Sequence, residues 1–199
     1  MAAPGTLLFI RHAATALAGA FCGHSNPPLN DVGVRQAAAL ADRLKELPID
    51  ALWTSDLLRA RQTAAVLASA HAIPIYTRTG LREIDFGDWE TLTWAQIEQR
   101  DPAYAARWVS QFPSLPTPNG EPIAAFQQRV RAEIAELRRM PYGCIAIVTH
   151  AGVLRVLLED FGHLAPQHAW ERTREYTCVI RCTQRSPDST LNVSSSQQH

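Results

Sequence analysis

The sequence predicts an α/β fold: a three-layer α/β/α sandwich with a mostly parallel central sheet and a small helical insert. Two observations predict the layers. Short apolar runs alternate with longer stretches whose apolar residues recur at helical spacing, and this alternation along 199 residues is the pattern of strands connected by crossover helices. The third observation is a break in that rhythm between Asp85 and Glu121, too long for an ordinary connection.

Element by element, "TLLFI" reads as the first strand. "NDVGVRQAAALADRLKEL" follows as a helix capped by Asn30 or Asp31 and running through Leu47. "DALWTS" is a second short strand, and Ser55 is a candidate cap for the Ala- and Leu-rich helix "SDLLRARQTAAVLASAHA". "IPIYTRTGLREI" opens as a third strand, Pro74 placing it at a strand start or a sheet edge. Late in the chain come a helix in "EPIAAFQQRVRAEIAELRRM" and a buried strand in "GCIAIVTH". A helix, "AGVLRVLLEDFG", closes at Gly162, and a last strand is "YTCVIRCTQ". One domain over 1–184 is expected, with a cap-like insert at about 86–121 and a polar, disordered tail at 185–199. Three of the five tryptophans, Trp89, Trp94 and Trp108, fall in the insert. It reads as a cap over a site, with a dimer surface or plain packing as the alternatives, and a homodimer is compatible with it.

Composition excludes several classes. The chain is 46% hydrophobic and 19% charged, and 19 basic residues balance 19 acidic ones. No global charge draws it to nucleic acid or an anionic membrane, so any anion site must be built locally. The N-terminal apolar run is too short for a signal sequence or a membrane span, which makes a cytoplasmic location the expectation. Cys22, Cys144, Cys178 and Cys182 form no Cys-x-x-Cys and read as free thiols.

Ligands in α/β sheets bind beyond the carboxyl ends of the strands. Arg11 and His12 follow the first strand, Ser55 to Arg59 the second, and His150 the strand "CIAIVT", while Glu83 comes after the third. Each alone has an ordinary reading, as a solvated arginine, a surface carboxylate or a hydrogen-bonded core histidine. Together on one rim they supply two guanidinium groups, two imidazoles, a carboxyl group and helix N-termini, which is the equipment of a phosphoryl pocket. Arg59 and Arg61 are two residues apart and so lie on nearly opposite sides of a helix; Arg59, nearer the helix start, is the one placed to meet an anion.

With these residues in view, the sequence resembles the histidine phosphatase superfamily, branch 1, the phosphoglycerate mutase-like group, from about Leu7 to Leu158. "FIRHAAT", "LWTSDLLRARQTA", "LREIDFGDWE" and "VTHAGVLRVLL" match its four motifs in order. The resemblance implies that His12 is the nucleophile that becomes phosphohistidine, with Arg11 and Arg59 holding phosphoryl oxygens. It makes His150 the second pocket histidine and Glu83 the general acid. Thr15 and Asn26 stand where the family adds phosphate or substrate contacts, and His24 could line the pocket mouth. Such chemistry needs no metal or other cofactor, because arginines and imidazole can stabilise the equatorial charge of the transition state. An ordinary glutamate is ionised at neutral pH, so proton donation by Glu83 calls for a neighbouring anion such as the phosphoryl group. Ala13 and Ala151 replace usual glycines, and Thr91 stands where many relatives have Gly.

The function expected is a phosphomonoesterase acting on a small phosphorylated metabolite, α-ribazole phosphate being one candidate suggested by "GHSNPPLNDVGVRQA" and the length. A cofactor-dependent phosphoglycerate mutase is the nearest alternative. A metallohydrolase built on His12, His24, His150 and Asp85 or Asp88 lacks any familiar ligand spacing, and a non-catalytic phosphate-binding module is the remaining reading.

Overall fold

Alternation within the apolar runs decides the architecture of the computed structural model, which describes residues 5–186 and 190–195. Strands β1 (Gly5–Arg11), β2 (Ala51–Thr54), β3 (Ile75–Thr77), β4 (Cys144–Thr149), β5 (Val179–Gln184) and β6 (Asn192–Ser195) form one sheet in the order β3-β2-β4-β1-β5-β6. The first four in that order run parallel, and β5 and β6 are antiparallel to their neighbours. In β1, Leu7 and Phe9 join the core on one face while Leu8 and Ile10 join the other; in β4, Ile145 and Ile147 face opposite Ala146 and Val148. Both faces of these central strands are therefore buried, as a parallel sheet requires.

Helices α1 (Asp31–Leu44) and α2 (Leu58–His71) cover the face of Leu8 and Ile10 through Leu40, Leu44, Ala60, Ala64 and Leu67. On the other face lie α5 (Ile123–Leu137), α6 (Ala151–Val156) and α7 (Pro166–Thr173), which supply Val130, Ile134, Val153, Leu154 and Ala169. Within the insert, α3 (Trp94–Arg100) and α4 (Pro102–Gln111) carry an aromatic cluster of their own. Trp89, Ile97 and Ala105 are buried there among Phe21, Phe86, Trp94, Tyr104 and Trp108. No helix among the described residues is long and apolar enough to cross a membrane, and all four cysteines are free thiols.

Several expected boundaries are corrected. Asn30 caps α1 by accepting from the Gly33 N–H, but the helix ends at Leu44 rather than Leu47. Ser55 does not cap α2: the helix starts at Leu58, whose N–H is taken by Asn26 Oδ1, 32 positions earlier in the chain, at 2.6 Å. After α6 the chain makes one π-helical turn over Leu157–Phe161, which Gly162 closes as expected but in a right-handed conformation; the left-handed residue, with φ of 52°, is the next one, His163. Part of the expected tail is ordered. Leu191 is buried in the main core, and Asn192–Ser195 pairs with β5 as β6, because Leu191 and Val193 alternate inward beneath a polar composition. Residues 187–189 and 196–199 lie outside the described residues.

Candidate active site

Register brings the chemistry to one rim. Arg11 pairs with Thr149 across β1 and β4, and Thr54 with Val148 across β2 and β4, so the residues that follow these strands emerge side by side. The rings of His12 and His150 lie 5.0 Å apart between centroids.

The loop after β1 is fastened from three sides: the Ala13 N–H donates to Thr63 Oγ1 at 3.0 Å, the Ala14 N–H to Gln36 Oε1 at 2.9 Å, and the His12 N–H to the Thr149 carbonyl at 2.9 Å. Ala13 is fully buried and has no positive φ, so its methyl group is accommodated without backbone strain.

His12 is held in one tautomer. Its Nδ1–H donates to the Ala13 carbonyl at 2.7 Å, which leaves the lone pair on Nε2, and Nε2 accepts from Arg59 Nε–H at 3.2 Å. Burial first, and then the charge of Arg59, lower its pKa well below the usual imidazole value, the Ala13 carbonyl opposing and Arg11 adding. His150 is fully buried, and among the described residues neither of its ring nitrogens has a hydrogen-bond partner. Burial, Arg59, His12, Arg11 and His24, in that order, hold its pKa low as well. Two neutral imidazoles therefore face each other, one with its lone pair oriented and one with its hydrogen-bonding capacity unspent. An unsatisfied buried polar group costs free energy that a ligand oxygen can recover.

The two arginines are positioned differently. Arg59, in the first turn of α2, is fully buried while Arg61 is exposed. Its Nη1 donates to the Ser25 carbonyl at 2.7 Å, and its Nη2 to the carbonyls of Gly23 at 2.7 Å and Cys22 at 3.2 Å. Arg11 donates through Nη1 to the carbonyls of Thr173, at 3.0 Å, and Arg174, and its guanidinium lies 4.2 Å over the ring of Tyr176. Among the described residues its buried Nε has no acceptor, which leaves uncommitted the Nε edge, the side of the guanidinium suited to paired contacts with phosphate oxygens.

Glu83 is buried at the same rim. Its Oε2 accepts from the Gly152 N–H and its Oε1 from the Ile84 N–H, both at 3.0 Å. A β-carbon at position 152 would lie 2.1 Å from Glu83 Oε1, so only glycine lets the carboxylate rest against the start of α6. His24 Nε2 sits 3.2 Å from the Glu83 carbonyl, and its Nδ1 lies 3.4 Å from Asp85. Thr15 is buried in its own turn, its hydroxyl accepting from the Leu17 N–H at 3.2 Å. With Asn26 Oδ1 spent on α2, only the side-chain amide of Asn26 is left for a ligand.

Sequence reasoning missed four residues that shape this site. Glu90 gathers the N–H groups of Gly23, His24, Ser25 and Phe86 on one carboxylate, and thereby presents to Arg59 the carbonyls that hold it. Arg129 braces the acidic loop through the carbonyls of Gly80, Arg82 and Glu83 and pairs with Glu121. Tyr176 lies 5.7 Å from the His12 ring as well as on Arg11, and Arg155 stacks on Trp170 and donates to Thr173. Glu90 and Arg155 stood in the quoted motifs "LREIDFGDWE" and "VTHAGVLRVLL" without being singled out; Arg129 and Tyr176 are brought in by long-range packing. Among the described residues, no three His, Cys, Asp or Glu side chains converge as metal ligands, and His24 and Asp85 form a pair with each other instead.

Comparison with known proteins gives concordant matches. The model of the histidine phosphatase superfamily (branch 1) matches residues 7–195. The adenosylcobalamin/alpha-ribazole phosphatase of Escherichia coli is 30% identical over 194 residues, covering 96% of this chain and 96% of that protein. The crystal structure of the alpha-ribazole phosphatase from Shigella flexneri superposes with a TM-score of 0.85 at 31% identity, covering 96% of each chain. At the level of fold alone, a phosphoglycerate mutase from Bacillus anthracis aligns with a TM-score of 0.79 at 21% identity, over 98% of this chain and 93% of that one. The sheet order, the rim that joins two arginines to two histidines, and a match over nearly the whole length lead to one conclusion: this chain belongs to branch 1 of the histidine phosphatase superfamily.

Proposed function

We propose that the protein is a metal-independent phosphomonoesterase that hydrolyses a small phosphorylated metabolite through a phosphohistidine at His12. One observation carries this reading: His12 is neutral, with Nε2 as the acceptor nitrogen, between Arg59 and a buried His150 that has no hydrogen-bond partner among the described residues. An incoming phosphoryl group would take the Nε–H of Arg59 from His12, leaving the Nε2 lone pair directed at phosphorus. The Nε edge of Arg11, the Arg59 guanidinium and His150 would share its oxygens, placing positive charge and donors where the transition state carries negative charge.

In the first step the N–P bond forms at Nε2, the ester P–O bond breaks, and the Glu83 carboxyl passes its proton to the departing alkoxide. In the second, water attacks phosphorus and gives a proton back to Glu83, the N–P bond breaks, and phosphate leaves with His12 restored. The aromatic insert around Trp89 and Trp108 reaches the site through the 22–25 loop, and we assign it the role of a cap beside the leaving group. The similarity to alpha-ribazole phosphatases at about 30% identity makes α-ribazole 5′-phosphate the first substrate to try.

Phosphate release from a panel of esters in excess chelator, with His12→Ala as the control, tests the reading. Release that survives chelator and vanishes in the variant is expected. A requirement for metal, or release unchanged in His12→Ala, would overturn it, and interconversion of phosphoglycerates without release would make the protein a mutase instead.

A further inference from the structure

Arg155 is a half-buried cation beside the site that the steps above do not use. It lies on α6 three residues after Gly152, and a helical side chain leans toward the helix N-terminus over that same face. It therefore reaches back toward the place where Gly152 holds Glu83. Its Nε donates to Thr173 Oγ1 at 3.3 Å, and the carbonyl of that same threonine takes Nη1 of Arg11. One face of the guanidinium is covered by the Trp170 ring at 3.9 Å, while Trp170 itself is 55% exposed. Burial lowers the pKa of Arg155, with Glu83 opposing and Arg11 adding, so its charge is within range of both groups. Among the described residues, Nη1 and Nη2 of Arg155 have no acceptor. A guanidinium flattened on an indole, next to the proton donor and with its terminal fork unspent, is arranged to receive oxygen atoms from a ligand.

Resting on the phosphatase reading, we propose that Arg155 is a specificity-determining residue that binds oxygen acceptors on the leaving alcohol, and that the favoured substrates carry a hydroxyl or carboxylate close to the ester oxygen. The leaving oxygen must meet Glu83, and whatever extends from it next passes the Arg155 fork. Ribosyl and glyceryl-type alcohols share this chemistry, through hydroxyl and carboxylate oxygens respectively, and a bare phenyl or alkyl alcohol lacks it.

Equilibrium binding on His12→Ala protein, where no ester is consumed, tests this by calorimetry. The ligands are inorganic phosphate, phenyl phosphate, ribose 5-phosphate and 3-phosphoglycerate, each measured with and without Arg155→Met, and with Arg155→Lys, which retains the charge but not the fork. In Arg155→Met the affinity ratio of ribose 5-phosphate or 3-phosphoglycerate over phenyl phosphate falls about tenfold, the worth of a hydrogen bond to a charged donor. Arg155→Lys recovers part of it, and the ester that responds more identifies hydroxyl or carboxylate as the recognised group. A ratio unchanged in both variants, all ligands weakening together, overturns the proposal and makes Arg155 a brace for Arg11. Failure of every ligand, inorganic phosphate included, to bind the His12→Ala protein overturns the phosphate site itself and this assignment with it.

Discussion

Replacing Glu90 with glutamine removes one charge and alters nothing in size, yet the structure makes it costly. The carboxylate accepts four backbone N–H groups: Oε1 takes those of His24 at 2.8 Å, Phe86 at 3.1 Å and Gly23 at 3.1 Å, while Oε2 takes that of Ser25 at 3.0 Å and shares Gly23. An amide keeps an oxygen on the crowded side and turns an NH2 group toward the Ser25 N–H. Leaving that donor unpaired costs about 1–3 kcal/mol, and the three remaining bonds weaken because their acceptor is no longer charged. Because the carboxylate is half-buried and water reaches part of it, we expect a loss of about 2 kcal/mol. For a chain of this size that lowers Tm by about 4–8 °C. Burial opposes the charge of Glu90, but the hydrogen bonds from Ser25, Phe86 and His24 outweigh it and set its pKa below the usual value. Its contribution is thus fully present above about pH 5 and disappears as pH falls through the lowered value. Urea denaturation across pH 3 to 7 is the assay: wild type and Glu90→Gln should differ most at neutral pH and converge in acid. Since the same loop holds Arg59, kcat/KM should also fall by about ten- to a hundredfold. Stability within about 0.5 kcal/mol of wild type at pH 7, or a gap that widens in acid, would refute this account.

Three further outcomes follow from other parts of the site. Glu83→Gln should slow hydrolysis of alkyl phosphates by about a hundredfold or more and that of p-nitrophenyl phosphate, whose phenolate leaves unprotonated, far less; Gly152→Ala should reproduce that split, because its methyl group displaces the carboxylate. His12 and His150 stay neutral in the fold but take up protons near pH 6.5 when unfolded, so stability should fall as pH drops below about 6.5, by up to about 1.4 kcal/mol per pH unit for each histidine, and pH-dependent denaturation of His150→Asn should show a shallower slope. Exposed Thr91 has φ of 69°, a strained conformation for a β-branched residue, and Thr91→Gly should gain about 1 kcal/mol in urea denaturation.

What could be read in the sequence was whatever local periodicity determines. Short apolar runs located the buried strands, strand ends located Arg11, His12 and His150 on one rim, and helical geometry chose Arg59 over Arg61, now fully buried and exposed respectively. What could not be read depends on contacts between distant segments. Asn26 and Leu58, Glu90 and the 23–25 loop, and Arg11 and the 173–176 segment meet only once the chain has folded. β6 was obscured for another reason: Leu191 and Val193 signal a strand, but the serines and glutamines around them dominate the composition.

The central claim is that His12 carries the phosphoryl group. Rapid mixing with a phosphomonoester in chelator, quenching without acid, and peptide mass spectrometry would test it most directly. The account predicts a transient, acid-labile phosphoryl adduct on the peptide containing His12, formed as fast as alcohol is released and absent from His12→Ala. Alcohol release at the wild-type rate in that variant, or an adduct on any other residue, would contradict it.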